Sequence, residues 1–170
     1  MPKIFISYRR ADSEFPAHTI YSKLCERFHG DSVFIDVDAI PPGIDFRQHL
    51  NEAVKQCDVL LAIIGPHWLN IADNSGNRRL DDPKDFVRIE IEAALGRGIP
   101  VIPILLGNTS MPDELQLPAT LSQFAYRNGI SVSAGKDFDN HVRSLVSRLE
   151  KTFGLQEDIS ESFRSHSREF

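Results

Sequence analysis

Asp58–Ile64 reads D-V-L-L-A-I-I and is closed at once by Gly65-Pro66. After its leading aspartate the run is aliphatic without alternation, so neither side of the segment is marked for water. That is the pattern of a central strand covered on both faces, as in parallel sheets whose crossover helices pack on each side. The run is far short of the roughly 20 apolar residues that a membrane-spanning helix needs.

Working outward, the chain alternates strand and helix patterns. Upstream, Lys3–Tyr8 (K-I-F-I-S-Y) predicts a buried first strand, followed by a polar turn over Arg9–Ser13. Ala17, Ile20, Tyr21, Leu24, Cys25 and Phe28 recur at three- and four-residue steps and predict an amphipathic helix ending at Gly30. Val33–Asp36 predicts a second strand. Asp36–Asp45 holds two prolines and a glycine and predicts a loop, and Leu50, Ala53, Val54 and Cys57 mark the next helix. Downstream, His67–Asp82 is polar and longer than the usual connection of about 4–6 residues. Asp82-Pro83 predicts a helix start, with Asp as cap and Pro in the first turn, and Phe86, Ile89, Ala93 and Leu95 supply apolar positions. Gly96-Arg97-Gly98 ends that helix. Ile99–Leu106 predicts a fourth strand, Gly107–Leu121 a loop, part of Phe124–Val132 a fifth strand, and Phe138 to Phe153 a last helix stopped by Gly154. The fold class is therefore α/β, a doubly wound five-stranded parallel sheet with helices on both faces. The domain is expected over residues 1–154, with a polar tail over 155–170.

Bulk composition narrows the function. The chain has 170 residues, room for one domain, and a net charge of -5 that disfavours general nucleic-acid binding. Two cysteines, Cys25 and Cys57, are too few for a disulfide framework or a four-ligand zinc site. Cys25 and His29 share a helix face, but no second ligand pair accompanies them, so no metal is expected. No signal sequence opens the chain, no membrane association is expected, and the cytoplasm is the expected compartment.

In doubly wound sheets ligands bind beyond the carboxyl ends of the strands, where the winding reverses. The candidate residues are sought there. Tyr8, Arg9 and Arg10 follow the first strand, and two guanidiniums at a strand end suit phosphate oxygens as well as they suit a solvated surface pair. Asp36 and Asp38 follow the second strand, where turn and cap chemistry competes with a role in a site. Trp68 follows the third strand and fits either packing on the sheet end or stacking on a base. Glu90 lies four residues after Phe86 and three before Ala93, on what reads as their buried stripe, whereas Glu92 pairs with Arg88 on the outer face. A carboxylate on a core-facing stripe is costly unless it is hydrogen-bonded or put to use. No dinucleotide fingerprint, P-loop or hydrolase elbow occurs.

F-I-S-Y-R-R at Phe5–Arg10, V-F-I-D-V-D at Val33–Asp38, Pro42-Gly43 and D-F-V-R-I-E-I-E-A-A-L at Asp85–Leu95 resemble a Toll/interleukin-1 receptor (TIR) domain from Lys3 to about Phe153. Y-R-R-A-D-S, G-P-x-W-L and R-R-L-D-D-P-x-D-F look bacterial, and the Y-R-R start is similar to NAD-cleaving TIR enzymes. The resemblance implies a flavodoxin-like fold and assigns Glu90 the place of the glutamate required to cleave NAD+ between nicotinamide and ribose. It also implies a nucleotide site at Arg9, Arg10 and the Pro41–Gly43 loop, including Pro41 and Gly43. NAD+ would be substrate, with no cofactor, and the product ADP-ribose or a cyclic ADP-ribose, in prokaryotic defence signalling. Other TIR domains are the implied partners, as a homo-oligomer. A non-catalytic TIR–TIR scaffold is the alternative. Phe124-Ala125-Tyr126 replaces the receptor-type F-W motif, which argues against receptor-style signalling. A phosphotransfer receiver would need an acidic pair where Arg9-Arg10 stand.

Overall fold

The computed structural model describes residues 1–35 and 40–153. Five strands, β1 (Ile4–Ser7), β2 (Val33–Phe34), β3 (Val59–Ile64), β4 (Val101–Leu106) and β5 (Ile130–Val132), form one sheet in the order β2-β1-β3-β4-β5. Every pairing is parallel, with Ile4 opposite both Val33 and Val59. The chain steps from β1 outward to β2, returns past β1 to β3, and then moves to the other edge. The reversal falls between β1 and β3, so the crevice that binds ligands in such sheets opens at their carboxyl ends.

Four helices cover the sheet: α1 (Arg10–Arg27), α2 (Phe46–Lys55), α3 (Phe86–Gly96) and α4 (Phe138–Thr152). Alternate strand residues serve opposite faces, as the period of two demands. Ile4, Ile6, Leu61 and Ile63 pack with α1 and α4, while Phe5, Leu60, Ala62 and Ile64 pack with α2 and α3. All six residues of β3 are buried, as its unbroken aliphatic run predicts. Pro103 stands inside β4 without an amide hydrogen, and β4 pairs with β5 only from Ile104 onward.

Several local expectations shift. The turn expected over Arg9–Ser13 is already helical from Arg10, and Ser13 breaks the helix with φ -147° and ψ 32°. Pro16 then falls in the first turn of the continuing segment, where a missing amide hydrogen leaves no bond unmade. The strand expected over Val33–Asp36 has its described pairing over Val33–Phe34. The α3 cap is Asp85 rather than Asp82: the Asp85 side chain accepts from the Arg88 amide, while Asp82 accepts from Lys84 N in the preceding turn. Phe124 belongs to a 3-10 segment, Ala119–Tyr126, and is buried against the α3 side of the sheet. The long polar stretch after β3 is organised. Ala72 and Arg78 form an antiparallel bridge, Gly76 turns it at φ +81°, and Asp73 accepts the amides of Ser75 and Asn77. Asp36, Asp38, Gly154 and the expected tail lie outside the described residues.

Candidate functional site

A cleft of about 480 Å3 opens at the carboxyl end of β1, between the turn that follows it and the start of α3. Ile6 and Leu50 give it an apolar base, and Glu90 comes from α3. Glu90 is half-buried: it lines the cleft, while its Oε2 is closed off from solvent. The reason lies in the register of α3. Val87, Ile91 and Ala94 carry the helix's contact with the sheet, and Glu90 is rotated off that stripe toward the cleft. Phe86, expected on the buried stripe, is 42% exposed and lines the same cleft one turn before Glu90, with its ring 5.1 Å from that of Phe46.

The two arginines after β1 have different places. Arg9 is 4% exposed, and its two terminal nitrogens reach the two Asp85 oxygens at 2.9 and 2.8 Å. Its Nε donates to the Trp68 carbonyl at 3.1 Å, and its guanidinium lies 5.9 Å from the centroid of the Trp68 ring. The fork that could hold a phosphate therefore faces Asp85, which in turn caps α3. Arg9 joins the turn after β1, the turn after β3 and the N-cap residue of the helix that bears Glu90. Burial in a bidentate pair makes this a structural clamp, and Arg9 also lines the cleft, with its terminal nitrogens engaged by Asp85. Arg10 is exposed and lines the cleft. Tyr8 also lines it, nearly buried, with its hydroxyl 3.1 Å from Nε2 of His18 and the two rings edge to face.

The structure does not bring every candidate to this place. Trp68 is 0% exposed, packs 5.8 Å from Phe124 and is absent from the cleft wall, so its ring serves packing rather than stacking on a ligand. Pro41 and Gly43 are exposed and outside the cleft lining. Gly43 occupies φ +82°, which explains a glycine at that turn. Asp36 and Asp38 lie outside the described residues.

Sequence reasoning missed Arg79, Lys84, Asp73 and Asp82, all of which line the cleft. The signal was present in the charge density of R-R-L-D-D-P-K-D (residues 78–85), but which of these charges face inward depends on how the loop is tied. Arg78 pairs with Asp81 and donates to the Gln116 carbonyl at 2.6 Å, and Arg88 reaches the carbonyls of Leu80 and Asp81. The Arg78 guanidinium holds the Asp81 carboxyl below the usual range. Arg88 also pairs with Glu92 in the expected four-residue step, and Thr120 donates to the same Glu92 oxygen.

A second groove, about 560 Å3, lies over the ends of β3 and β4, lined by Ile64, Leu69, Leu106 and Met111 among others. Its one carboxylate, Asp12, accepts the amides of Gly65 and His67 at 2.9 and 2.8 Å. Among the described residues no group of three or more His, Cys, Asp or Glu could hold a metal ion, and no helix is long and apolar enough to cross a membrane.

Comparison with known proteins follows the same outline. A family model described as "TIR domain" matches residues 4–146. A curated relative, "NAD(+) hydrolase sarm1" of Drosophila melanogaster, is 30% identical over 128 residues, covering 75% of this chain and 9% of the relative. The chain thus spans less than a tenth of that protein's length. Among solved structures, the TIR domains of the activated Roq1 resistosome match with a TM-score of 0.60 at 13% identity, over 88% of this chain and 99% of that one. A metazoan TIR-STING receptor from C. gigas matches with a TM-score of 0.54 at 16% identity, over 86% of this chain and 40% of that one. At these identities the structural likenesses speak to the fold alone.

Proposed function

The chain belongs to the TIR domain family, and on that premise we propose that it cleaves the bond between nicotinamide and ribose in NAD+, with Glu90 as the catalytic carboxylate. The observation that carries the reading is a half-buried carboxylate on the wall of the cleft at the point where the sheet's winding reverses. The similarity to a protein named as an NAD(+) hydrolase supports it.

The chemistry asks little of the protein beyond one placed charge. As the C1′–N bond breaks, its electron pair leaves with the pyridinium, which departs as neutral nicotinamide and needs no general acid. Positive charge develops on the ribose, and a fixed carboxylate beneath the ring stabilises it more than it stabilises the ground state. Ordinary glycosidases need a second carboxyl group to protonate a poor leaving group. Water then adds at C1′ and releases a proton, giving ADP-ribose; capture by a group of the same nucleotide gives a cyclic product. Phe86, exposed one turn before Glu90, offers a face for a planar ring, and Arg10 and Tyr8 line the same cleft. Incubating the protein with NAD+ and separating products by chromatography tests the reading: nicotinamide release is expected, and intact NAD+ would leave the scaffold role.

Assembly is the second component. Ile44 is 52% exposed on the loop before α2, beside exposed Pro41 and Pro42, and apolar groups on a loop tip mark a partner surface. The proposed partner is a second copy of this domain. Specific activity should then rise with protein concentration, and Ile44→Asp should flatten the rise. Constant activity from a confirmed monomer, by light scattering across the dilution series, would remove assembly from the mechanism.

A further inference from the structure

The loop between β3 and α3 carries three arginines and a lysine before the helix and within its first turn, and they divide into two kinds. Arg78 and Arg88 are held by the loop itself: Arg78 by Asp81 and the Gln116 carbonyl, Arg88 by Glu92 and the carbonyls of Leu80 and Asp81. Arg79 and Lys84 line the cleft that holds Glu90, are exposed, and have no ion pair among the described residues. The backbone beneath them is nonetheless fixed. The Arg79 amide donates to the Ile71 carbonyl, and the Lys84 amide donates to the Asp82 carboxylate at 2.9 Å.

The aspartates that share this wall are each engaged by hydrogen bonds from elsewhere. Asp73 accepts the amides of Ser75 and Asn77, Asp82 that of Lys84, and Asp85 both arms of Arg9 and the Arg88 amide. A chain with a net charge of -5 thus keeps two cations, on a loop anchored by two others, facing one cavity. Two cations on one cleft wall suit an anion with two linked charges, and a guanidinium together with an ammonium offers both a fork and a point charge to phosphate oxygens. We infer that Arg79 and Lys84 form a pyrophosphate subsite, holding the two phosphates of a dinucleotide whose ribose lies against Glu90. This rests on the NAD+ reading of the same cleft and deepens it. It also transfers to the loop before α3 the anion contact expected of Arg9, whose fork is taken by Asp85.

The test measures binding of ADP-ribose, which contains the pyrophosphate but cannot be cleaved at the nicotinamide bond, by titration calorimetry, with adenosine as the phosphate-free control. The proteins are the wild type, Arg79→Gln with Lys84→Gln, and Lys84→Gln alone should the double variant melt early. Loss of a charged hydrogen-bonding partner corresponds to a weakening of roughly tenfold per residue. The affinity of the wild type should also fall with added salt, and the double variant's much less. Equal ADP-ribose affinity in wild type and variants, with NAD+ cleavage intact in the wild type, overturns the subsite and leaves the NAD+ reading standing. Binding that the variants lose, in a wild type that cleaves nothing, upholds the subsite and overturns the enzyme. A wild type that neither binds ADP-ribose nor cleaves NAD+ overturns both.

Discussion

Two crevices open side by side at the carboxyl edge of the sheet, and they are similar in size, about 480 and 560 Å3. The one at the end of β1 is walled by Glu90, Arg10, Arg79 and Lys84. The one over β3 and β4 has a single carboxylate, Asp12, whose two oxygens are occupied by the amides of Gly65 and His67. Position in the fold is therefore not enough to choose a site. The strand-end rule selects an edge, and the charged side chains that line each crevice select between the two.

The comparison is broken or sharpened first at Glu90. Glu90→Ala should lower NAD+ cleavage by at least about a hundredfold, on the scale of removing a preorganised electrostatic contact from an active site, with the far-ultraviolet spectrum unchanged. Asp12→Asn, in the other crevice, should leave the rate within a few-fold. Equal losses in both would erase the distinction between the crevices.

The clamp behind the charged cleft comes next. Asp85→Ala removes one partner of a buried bidentate pair together with the α3 cap, and should cost about 3–5 kcal/mol in urea unfolding. Arg9→Lys keeps the charge but cannot pair through both arms. A variant of that kind with wild-type stability would show that the fork geometry carries no weight. At the other crevice, a Cβ on Gly65 would lie 2.5 Å from an Asp12 oxygen. Gly65→Ala should therefore cost about 1–3 kcal/mol by displacing Asp12, while cleavage per folded molecule stays near wild type.

The last effect, absent near neutral pH, is a pH effect remote from either crevice. Burial, with the negative charge of Asp58 beside it, pushes the Cys57 thiol up to about 11. In the unfolded chain a thiol ionises near about 8.5. Between those values the unfolded state gives up the proton first, so the contribution of a protonated Cys57 is complete below about 8.5 and declines as pH rises toward 11. The stability difference between wild type and Cys57→Ala should narrow over that window. A pH-independent difference in urea midpoint would rule out the coupling.

Much of the frame was legible from periodicity alone, because β3 is buried on both faces and α1, α2 and α4 each keep a regular apolar stripe. The places that were not legible share a cause. Whether Asp82 or Asp85 caps α3, whether Phe86 faces in or out, and whether Arg9 faces a ligand or a carboxylate all depend on which distant segment arrives beside them. Arg9 and Asp85 are 76 residues apart, and no local pattern encodes their meeting. Glu90 was singled out by its place on the helix, and the structure sharpens the reason: it sits at the edge of the buried stripe, lining the cleft with Oε2 closed off from solvent.

The chain contains one tryptophan. Trp68 is sealed from water, its carbonyl is tied to Arg9, and its ring lies beside both that guanidinium and Phe124. Its fluorescence consequently comes from a single address, the junction that sets the first turn of α3. Loosening of that junction by denaturant, substitution or assembly should appear as a red-shifted emission before the helices melt, giving an optical reading of the clamp with no label attached.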